Sequence, residues 1–231
     1  MKNILVAVVD DHLLFTDSLS LVLDNEEGIS VIMKASNGVE FFNKLKKADR
    51  APDVVLMDIG MPEMNGIKAT MKLKREYPNI KVIVVTMHYD DSYIISMLEN
   101  GANGYLFKDT DPLELVRAII AVNEGEIYYN KRTLEAIRAN ISLNKNFNPN
   151  FKRTEISKRE MDVLTLICEA KTAEEIGAEL SISKRTVETH RQNLLMKTQS
   201  RNIIALVVYA FSLNLVQLRR APKNLQADTF A

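Results

Sequence analysis

Short, almost unbroken apolar runs alternate with amphipathic segments through the first half of the chain, and that alternation limits the folds open to it. The runs occupy residues 4–9, 29–35, 53–57, 80–86 and 104–107. Those beginning at 4, 53 and 80 lack the in–out alternation of a sheet with one wet face. Continuous apolarity fits a strand covered on both sides, as in a parallel sheet under helices. The intervening segments have helical spacing. Phe15, Leu19, Val22 and Leu23 recur at i, i+4, i+7 and i+8, and Asp111-Pro112-Leu113-Glu114 supplies an N-cap, a first-turn proline and a third-position acid. Five βα units over residues 1–123 predict an α/β domain with a doubly wound, five-stranded parallel sheet.

The second half differs. Residues 124–151 contain Tyr128-Tyr129-Asn130, a short helical pattern at 131–141 and an Asn-rich stretch at 144–151, which together read as a linker. Beyond it, helices are predicted at 157–170, 172–180, 183–197 and 201–215, with no strand before a polar tail at 217–231. Ser157-Lys-Arg-Glu160 and Thr172-Ala-Glu-Glu175 both match the S/T-x-x-E capping box. The expected organisation is therefore an α/β domain at 1–123, a linker at 124–151, a smaller all-α domain at 152–216 and the tail.

Composition narrows the possible settings. With 46% hydrophobic and 26% charged residues, 8 Gly and 6 Pro, the chain is neither disordered nor collagen-like. The apolar run at 4–9 ends in two aspartates and is too short for a signal peptide, and the run at 203–211 falls well below the roughly 20 residues a bilayer span requires. No membrane segment is expected, and the lone Cys168, read as a buried thiol, suits a reducing cytoplasm. Residues 1–123 hold 13 basic against 18 acidic residues, whereas residues 152–231 hold 13 against 9. An acidic first half and a basic second half imply different partners, nucleic acid being the natural one for the second.

In open α/β sheets ligands sit beyond the carboxyl ends of the strands. The residues there are Asp10, Asp11, Asp58, Thr86 and Lys108. Three gathered carboxylates repel one another unless a hard cation such as Mg²⁺ joins them. A lysine neutralises one further negative group and a hydroxyl adds a donor. This set suits phosphoryl transfer onto a carboxylate, with Asp58 as in-line nucleophile, Asp10 and Asp11 as metal ligands, and the Gly60 carbonyl in the turn behind Asp58 as another. Each residue alone has a plainer reading: a helix cap for Asp11, strand punctuation for Thr86, a solvated charge for Lys108. His12 and His88 are read as surface residues without metal-ligand partners.

The acidic pair Asp10-Asp11, Asp58 with Pro62 and Gly66 following, Thr86, Tyr105 and Lys108 stand in an order and spacing that resembles the receiver domain of two-component response regulators, a flavodoxin-like fold. The resemblance implies a sensor histidine kinase as phosphodonor, with the receiver itself catalysing transfer in the presence of Mg²⁺. It assigns Thr86 and Lys108 to the new phosphoryl group and Tyr105 to a rotamer switch. Met87 stands where receivers usually carry a small residue.

In the second half, residues 172–197 read as two helices joined at Ser181-Ile182-Ser183, a helix-turn-helix. A helical wheel places Val187 and Leu194 inward and Arg185, Thr189, Gln192 and Met196 on the opposite face, with Glu188 beside them. Lys184, Arg185, Arg191 and Lys197 are expected at phosphates, joined by Thr186 and His190, while Gln192 suits adenine and Glu188 cytosine. A salt bridge from Glu188 to Lys184 or Arg191 is the alternative. The run from Ser157 to Lys197 resembles the LuxR-type DNA-binding domain of the NarL/FixJ class. Thr198-Gln199-Ser200 replaces the family's usual hydrophobic residue and glycine, so a less sharply ended helix is expected.

The segment 202–211 is apolar on nearly every side, which calls for a second burial surface: a homodimer, or packing against the linker or first domain. The overall expectation is a response regulator that is not an enzyme, phosphorylated on Asp58 and binding double-stranded DNA to control transcription. Two rivals stand beside it, a regulator that uses the receiver fold only to dimerise and an aspartyl-nucleophile phosphohydrolase. Such hydrolases usually place an acid two residues after the nucleophile, where this chain has Gly60. Met87→Ala is expected to change the lifetime of the phosphorylated form, followed as loss of the phosphoryl mass with time; identical decay in both proteins removes any gating role for Met87.

Overall fold

The computed structural model describes residues 3–87, 94, 96, 97, 100–135, 137, 154–200 and 202–216. The first half is built on strands β1 (Ile4–Val9), β2 (Ile29–Ala35), β3 (Val54–Met57), β4 (Lys81–Thr86) and β5 (Gly104–Phe107). Helices α1 (Leu13–Asp24), α2 (Gly38–Leu45), α3 (Gly66–Glu76) and α4 (Pro112–Asn123) cover them. All pairings are parallel, in the order β2-β1-β3-β4-β5, with a short sixth strand, β6 (Tyr128–Tyr129), beside β5.

The apolar character of β1 follows from where its residues go. Val6 and Val8 join Leu19 and Leu23 of α1 and Leu115, Ile119 and Val122 of α4 on one face. Ala7 and Val9 join Phe41 and Phe42 of α2 and Ala69 and Leu73 of α3 on the other. With both faces dry, neither set of alternate residues can be polar.

The sheet has six strands, not the five expected. Tyr128–Tyr129 forms β6, parallel to β5 with Gly104 opposite Tyr128 and Tyr105 opposite Tyr129. Two residues at an edge carry too little periodicity to be recognised within a segment read as linker. Residues 131–135 are helical, matching the start of the 131–141 expectation. The Asn-rich stretch at 144–151 and the tail at 217–231 lie outside the described residues.

The second half comprises α5 (Lys158–Ile167), α6 (Ala173–Leu180), α7 (Lys184–Thr198) and α8 (Ile203–Ser212). Both capping boxes form, on Ser157 with Glu160 and on Thr172 with Glu175. The expectation of a loosely ended third helix is corrected. Gln199 adopts the left-handed conformation, φ 56°, and its N–H reaches the Leu195 and Met196 carbonyls, while the Thr198 hydroxyl donates to the Leu194 carbonyl at 2.8 Å. The αL stop that glycine usually supplies is made here by glutamine.

Helix α8 finds its second burial surface within the same chain. Leu206, Val207, Tyr209 and Ala210 are fully buried, in an apolar cluster that also contains Tyr105 and Phe107 of the α/β domain and Tyr129, Leu134 and Ile137 of the segment 124–151. The apolarity of this helix is therefore accounted for without a second copy. Cys168 is buried, as expected, and burial pushes its thiol pKa well up. No helix among the described residues is long and apolar enough to cross a membrane.

The start of α3 is pressed against the end of β3. A Cβ at Gly66 would lie 2.0 Å from the Asp58 carbonyl oxygen, and the Gly66 N–H donates to the Ile59 carbonyl at 3.0 Å. Gly66→Ala is expected to lower the urea midpoint of the α/β domain by about 1–3 kcal/mol equivalent through overpacking; an unchanged midpoint contradicts this close approach.

Candidate functional site

The strand order reverses between β1 and β3, where the crevice of a doubly wound sheet opens. Asp10 follows β1 and Asp58 follows β3; both are buried, at 3% and 4% exposure. Lys108, one residue past β5, reaches between them with only 5% of its side chain exposed. Its Nζ lies 2.7 Å from Asp10 Oδ2 and 3.3 Å from Asp58 Oδ1. The ammonium passes 5.0 Å from the centre of the Phe15 ring on α1, which walls one side of the lysine.

Hydrogen bonds hold the carboxylates in place. The Gly60 N–H donates to Asp58 Oδ2 at 2.8 Å, and the His12 N–H donates to Asp10 Oδ1 at 2.9 Å. Burial raises the Asp10 pKa above its ordinary value, an effect opposed by Lys108 and the His12 N–H and reinforced by the charge of Asp58. Asp11 Oδ1 is buried and lies 3.2 Å from His12 Nδ1 without the geometry of a hydrogen bond. The reading of His12 as a residue without ligand partners is corrected: one ligand atom each from Asp10, Asp11 and His12 lies within 4.8 Å of the others, and His12 Nδ1 is 3.2 Å from both carboxylates. Adjacent positions turning out of a strand bring these groups together, a closeness that helical or strand spacing rules do not reveal.

Thr86 ends β4 fully buried, and its carbonyl accepts the Lys108 N–H at 3.0 Å, so strand pairing places the hydroxyl residue beside the lysine. Tyr105, expected as a rotamer switch, has its ring fully buried, edge-on to Phe107 at 5.6 Å. Met87, next to Thr86, is 57% exposed. His88 lies outside the described residues.

In the second half, α6 and α7 meet through Ser181, in the left-handed conformation, and Ile182, whose N–H donates to the Gly177 carbonyl at 2.9 Å. Ser183 caps α7. Val187 and Leu194 are fully buried, while Arg185, Thr189, Gln192 and Met196 are exposed, as the helical wheel predicts; Thr186 and Lys197 are exposed as well. His190 is half-buried, and its Nδ1 lacks a hydrogen-bond partner.

The expected phosphate contacts divide. Arg185 is exposed. Arg191 is instead buried at 7% and bonded to Glu188 at 2.8 Å, so the side chain placed at phosphates faces the protein. Lys197 donates to Glu160 at 2.7 Å. Lys184 lies 2.9 Å from Glu126 and 3.6 Å from Glu124, both just beyond α4 at the start of the segment 124–151. The hydrogen bond to Glu126 is the main reason that the Lys184 pKa stands above the usual lysine range. The Tyr129 hydroxyl of β6 donates to the Ile167 carbonyl of α5 at 3.0 Å in a buried setting. Glu124, Glu126 and Tyr129 were not singled out from sequence; their only mark was an acidic pair bracketing Gly125 before two tyrosines.

A parallel α/β domain with acids and a lysine at its switch point, joined to a helix-turn-helix, defines a signalling regulator with a DNA-binding output. The family model for response regulator receiver domains matches residues 6–120, and that for bacterial regulatory proteins of the luxR family matches residues 154–210. Transcriptional regulatory protein DegU of Brevibacillus brevis is 32% identical over 231 residues, covering 94% of this chain and 97% of its own. Oxygen regulatory protein NreC of Staphylococcus aureus is 32% identical over 219 residues, covering 92% and 99%. Among solved structures, RcsB dimers bound to DNA align at a TM-score of 0.55 and 25% identity, covering 92% of this chain and 100% of theirs. The chain belongs to the transcriptional response regulators that join a receiver domain to a luxR-family DNA-binding domain.

Glu160 links the cap of α5 to the end of α7. Burial alone would raise its pKa, but the Lys197 ammonium and the Ser157 N–H and hydroxyl outweigh this and hold it below the ordinary 4.5. A depressed folded pKa contributes stability that is present above the unfolded value and lost as pH falls through the folded one. Glu160→Gln is expected to cost about 1 kcal/mol at neutral pH, with the gap in thermal midpoint closing as pH drops below the carboxylate range. A gap that does not change with pH contradicts this.

Proposed function

We propose that Asp58 accepts a phosphoryl group from the phosphohistidine of a sensor histidine kinase and that this modification controls DNA binding by the second half. The observation that carries the reading is the buried Asp10–Lys108–Asp58 constellation at the switch point of the sheet. Asp58 Oδ1 attacks phosphorus in line, the bond from phosphorus to the histidine nitrogen breaks, and the imidazole leaves with the electron pair. Lys108, now shared between two carboxylates, turns to the oxygens of the new phosphoryl group. Thr86 donates its hydroxyl to one of them.

Mg²⁺ fits the residues present. Asp10, Asp11 and Asp58, with the Gly60 carbonyl, would hold it: they offer the oxygen donors a hard cation takes, and ligand atoms of Asp10 and Asp11 lie within 4.8 Å of one another. When bound, the ion neutralises phosphoryl oxygens that would otherwise face an acidic site. Tyr105 is the candidate for carrying the signal away from Thr86: its ring belongs to the same apolar cluster as α8, and its carbonyl accepts the Thr133 hydroxyl at 3.1 Å.

The described conformation is a held one. Glu126 and Glu124 occupy Lys184 at the first residue of α7, and Tyr129 fastens β6 to α5. Phosphorylation adds negative charge and acceptor oxygens at the far end of this cluster. We place the regulatory step in release of the second half from these contacts, after which two copies pair on DNA with two related half-sites. A buried free thiol and the absence of a membrane-spanning helix among the described residues support a cytoplasmic setting.

With acetyl phosphate and Mg²⁺, the parent protein is expected to bind its DNA about tenfold or more tightly than without them, a shift of about 1.4 kcal/mol or more, and Asp58→Asn to show no such gain. Equal gains in the two proteins contradict control through Asp58.

A further inference from the structure

Between positions 183 and 201 the chain has five basic residues and a single acid, Glu188. An acid on a helix that enters a groove between phosphates is repelled from both sides unless something cancels its charge. Here that partner is Arg191, one turn along α7. Arg191 Nη1 lies 2.8 Å from Glu188 Oε1, and the arginine side chain is 9% exposed while Glu188 is 43% exposed. Arg191 Nη2 donates to the carbonyl of Lys171 at 3.5 Å, which ties the guanidinium to the segment between α5 and α6. The cation therefore lies behind the carboxylate on the protein side, and the carboxylate lies toward solvent, flanking the exposed row of Arg185, Thr189, Gln192 and Met196.

We infer that Glu188 is a specificity-determining residue that selects cytosine in the major groove, and that Arg191 is the positioning residue that neutralises and aims it rather than a phosphate contact. The chemistry of the base edges decides the choice. An ionised carboxylate only accepts hydrogen bonds. Guanine offers two acceptors to the major groove and thymine an acceptor and a methyl group; cytosine and adenine offer amino donors. Adenine sets its N7 acceptor beside that donor, where it repels the second carboxylate oxygen. The cytosine amino group has the O6 of its paired guanine on one side but only C5–H on the other, whereas the adenine amino group lies between two acceptors, its own N7 and the O4 of thymine. Gln192, one turn further along the exposed row, both donates and accepts and so suits the N6/N7 pair of adenine. The two side chains then read neighbouring positions with different demands.

This inference rests on the DNA-binding role of α7, and the test separates the two. Full-length parent protein, phosphorylated with acetyl phosphate and Mg²⁺, is used to select duplexes from a random pool, and Glu188→Ala, Glu188→Gln and Arg191→Met are treated in the same way. The parent is expected to require cytosine at one position of each half-site, by roughly tenfold or more over other bases. Glu188→Ala is expected to lose that preference alone, and Glu188→Gln to move it toward adenine, a gain that no unfolded protein could show. Arg191→Met is expected to weaken the same preference while leaving the slope of log affinity against log salt unchanged. A phosphate contact would make that slope shallower by about one when removed. A base profile that Glu188→Ala leaves intact at every position overturns the inference, as does a shallower slope for Arg191→Met. Failure of the parent to bind any duplex overturns the inference together with the DNA-binding role of α7.

Discussion

A single ammonium group holds the signalling end of this molecule together. Asp10 and Asp58 follow neighbouring parallel strands, so the geometry of the sheet brings two buried carboxylates to one site. Lys108, from a third strand end, is the cation that makes this tolerable. Removing one partner of such a buried set leaves an uncompensated charge, at a cost on the order of 3–5 kcal/mol. The same arrangement is poised for chemistry. A group that brings its own negative oxygens to Asp58 gives the lysine a new partner, beside Thr86, whose carbonyl accepts the Lys108 backbone N–H.

That local balance reaches the second half through continuous packing. Tyr105 and Phe107 of β5, Tyr129 of β6 and most of the apolar residues of α8, from Ile203 to Phe211, share one apolar cluster. At its rim, three basic residues of the helix-turn-helix are engaged: Lys184 by Glu126 and Glu124, Lys197 by Glu160, and Arg191 by Glu188. Exposed ion pairs contribute little individually, and the Lys184 pair is only partly covered. Contact between the α/β domain, residues 124–151 and the helical domain rests on the apolar cluster and the buried Tyr129 hydroxyl bond to the Ile167 carbonyl.

Much of this was legible in the chain. Apolar runs that continue through both faces mark buried parallel strands, and the polar residues that end them, Asp10, Asp58, Thr86 and Lys108, mark the site, because a strand end is fixed by the period of two and by the loop that follows. The capping boxes at Ser157 and Thr172 placed two helices to within a residue of their observed starts. What escaped depends on contacts distant in sequence. Tyr128–Tyr129 is too short to show a period, and its pairing with β5 is visible only in the folded sheet. Arg191 reads as a DNA contact by its charge, yet it lies on the inward side of α7, where Lys171 from another segment meets it. The apolar excess of α8 correctly signalled a second surface, but which surface could not follow from one helix. His12 lay beside two acids in sequence without any sign that its ring would turn back to them.

The central claim is that the buried acids and lysine take up a phosphoryl group at position 58. It is tested most directly by intact-mass measurement of the full chain after incubation with acetyl phosphate and Mg²⁺, alongside the same chain with Asp58→Asn and the parent with the metal chelated. The account predicts a single added phosphoryl mass in the parent with metal, and none in the other two samples. An unmodified parent, or an equal adduct on the Asp58→Asn chain, contradicts it.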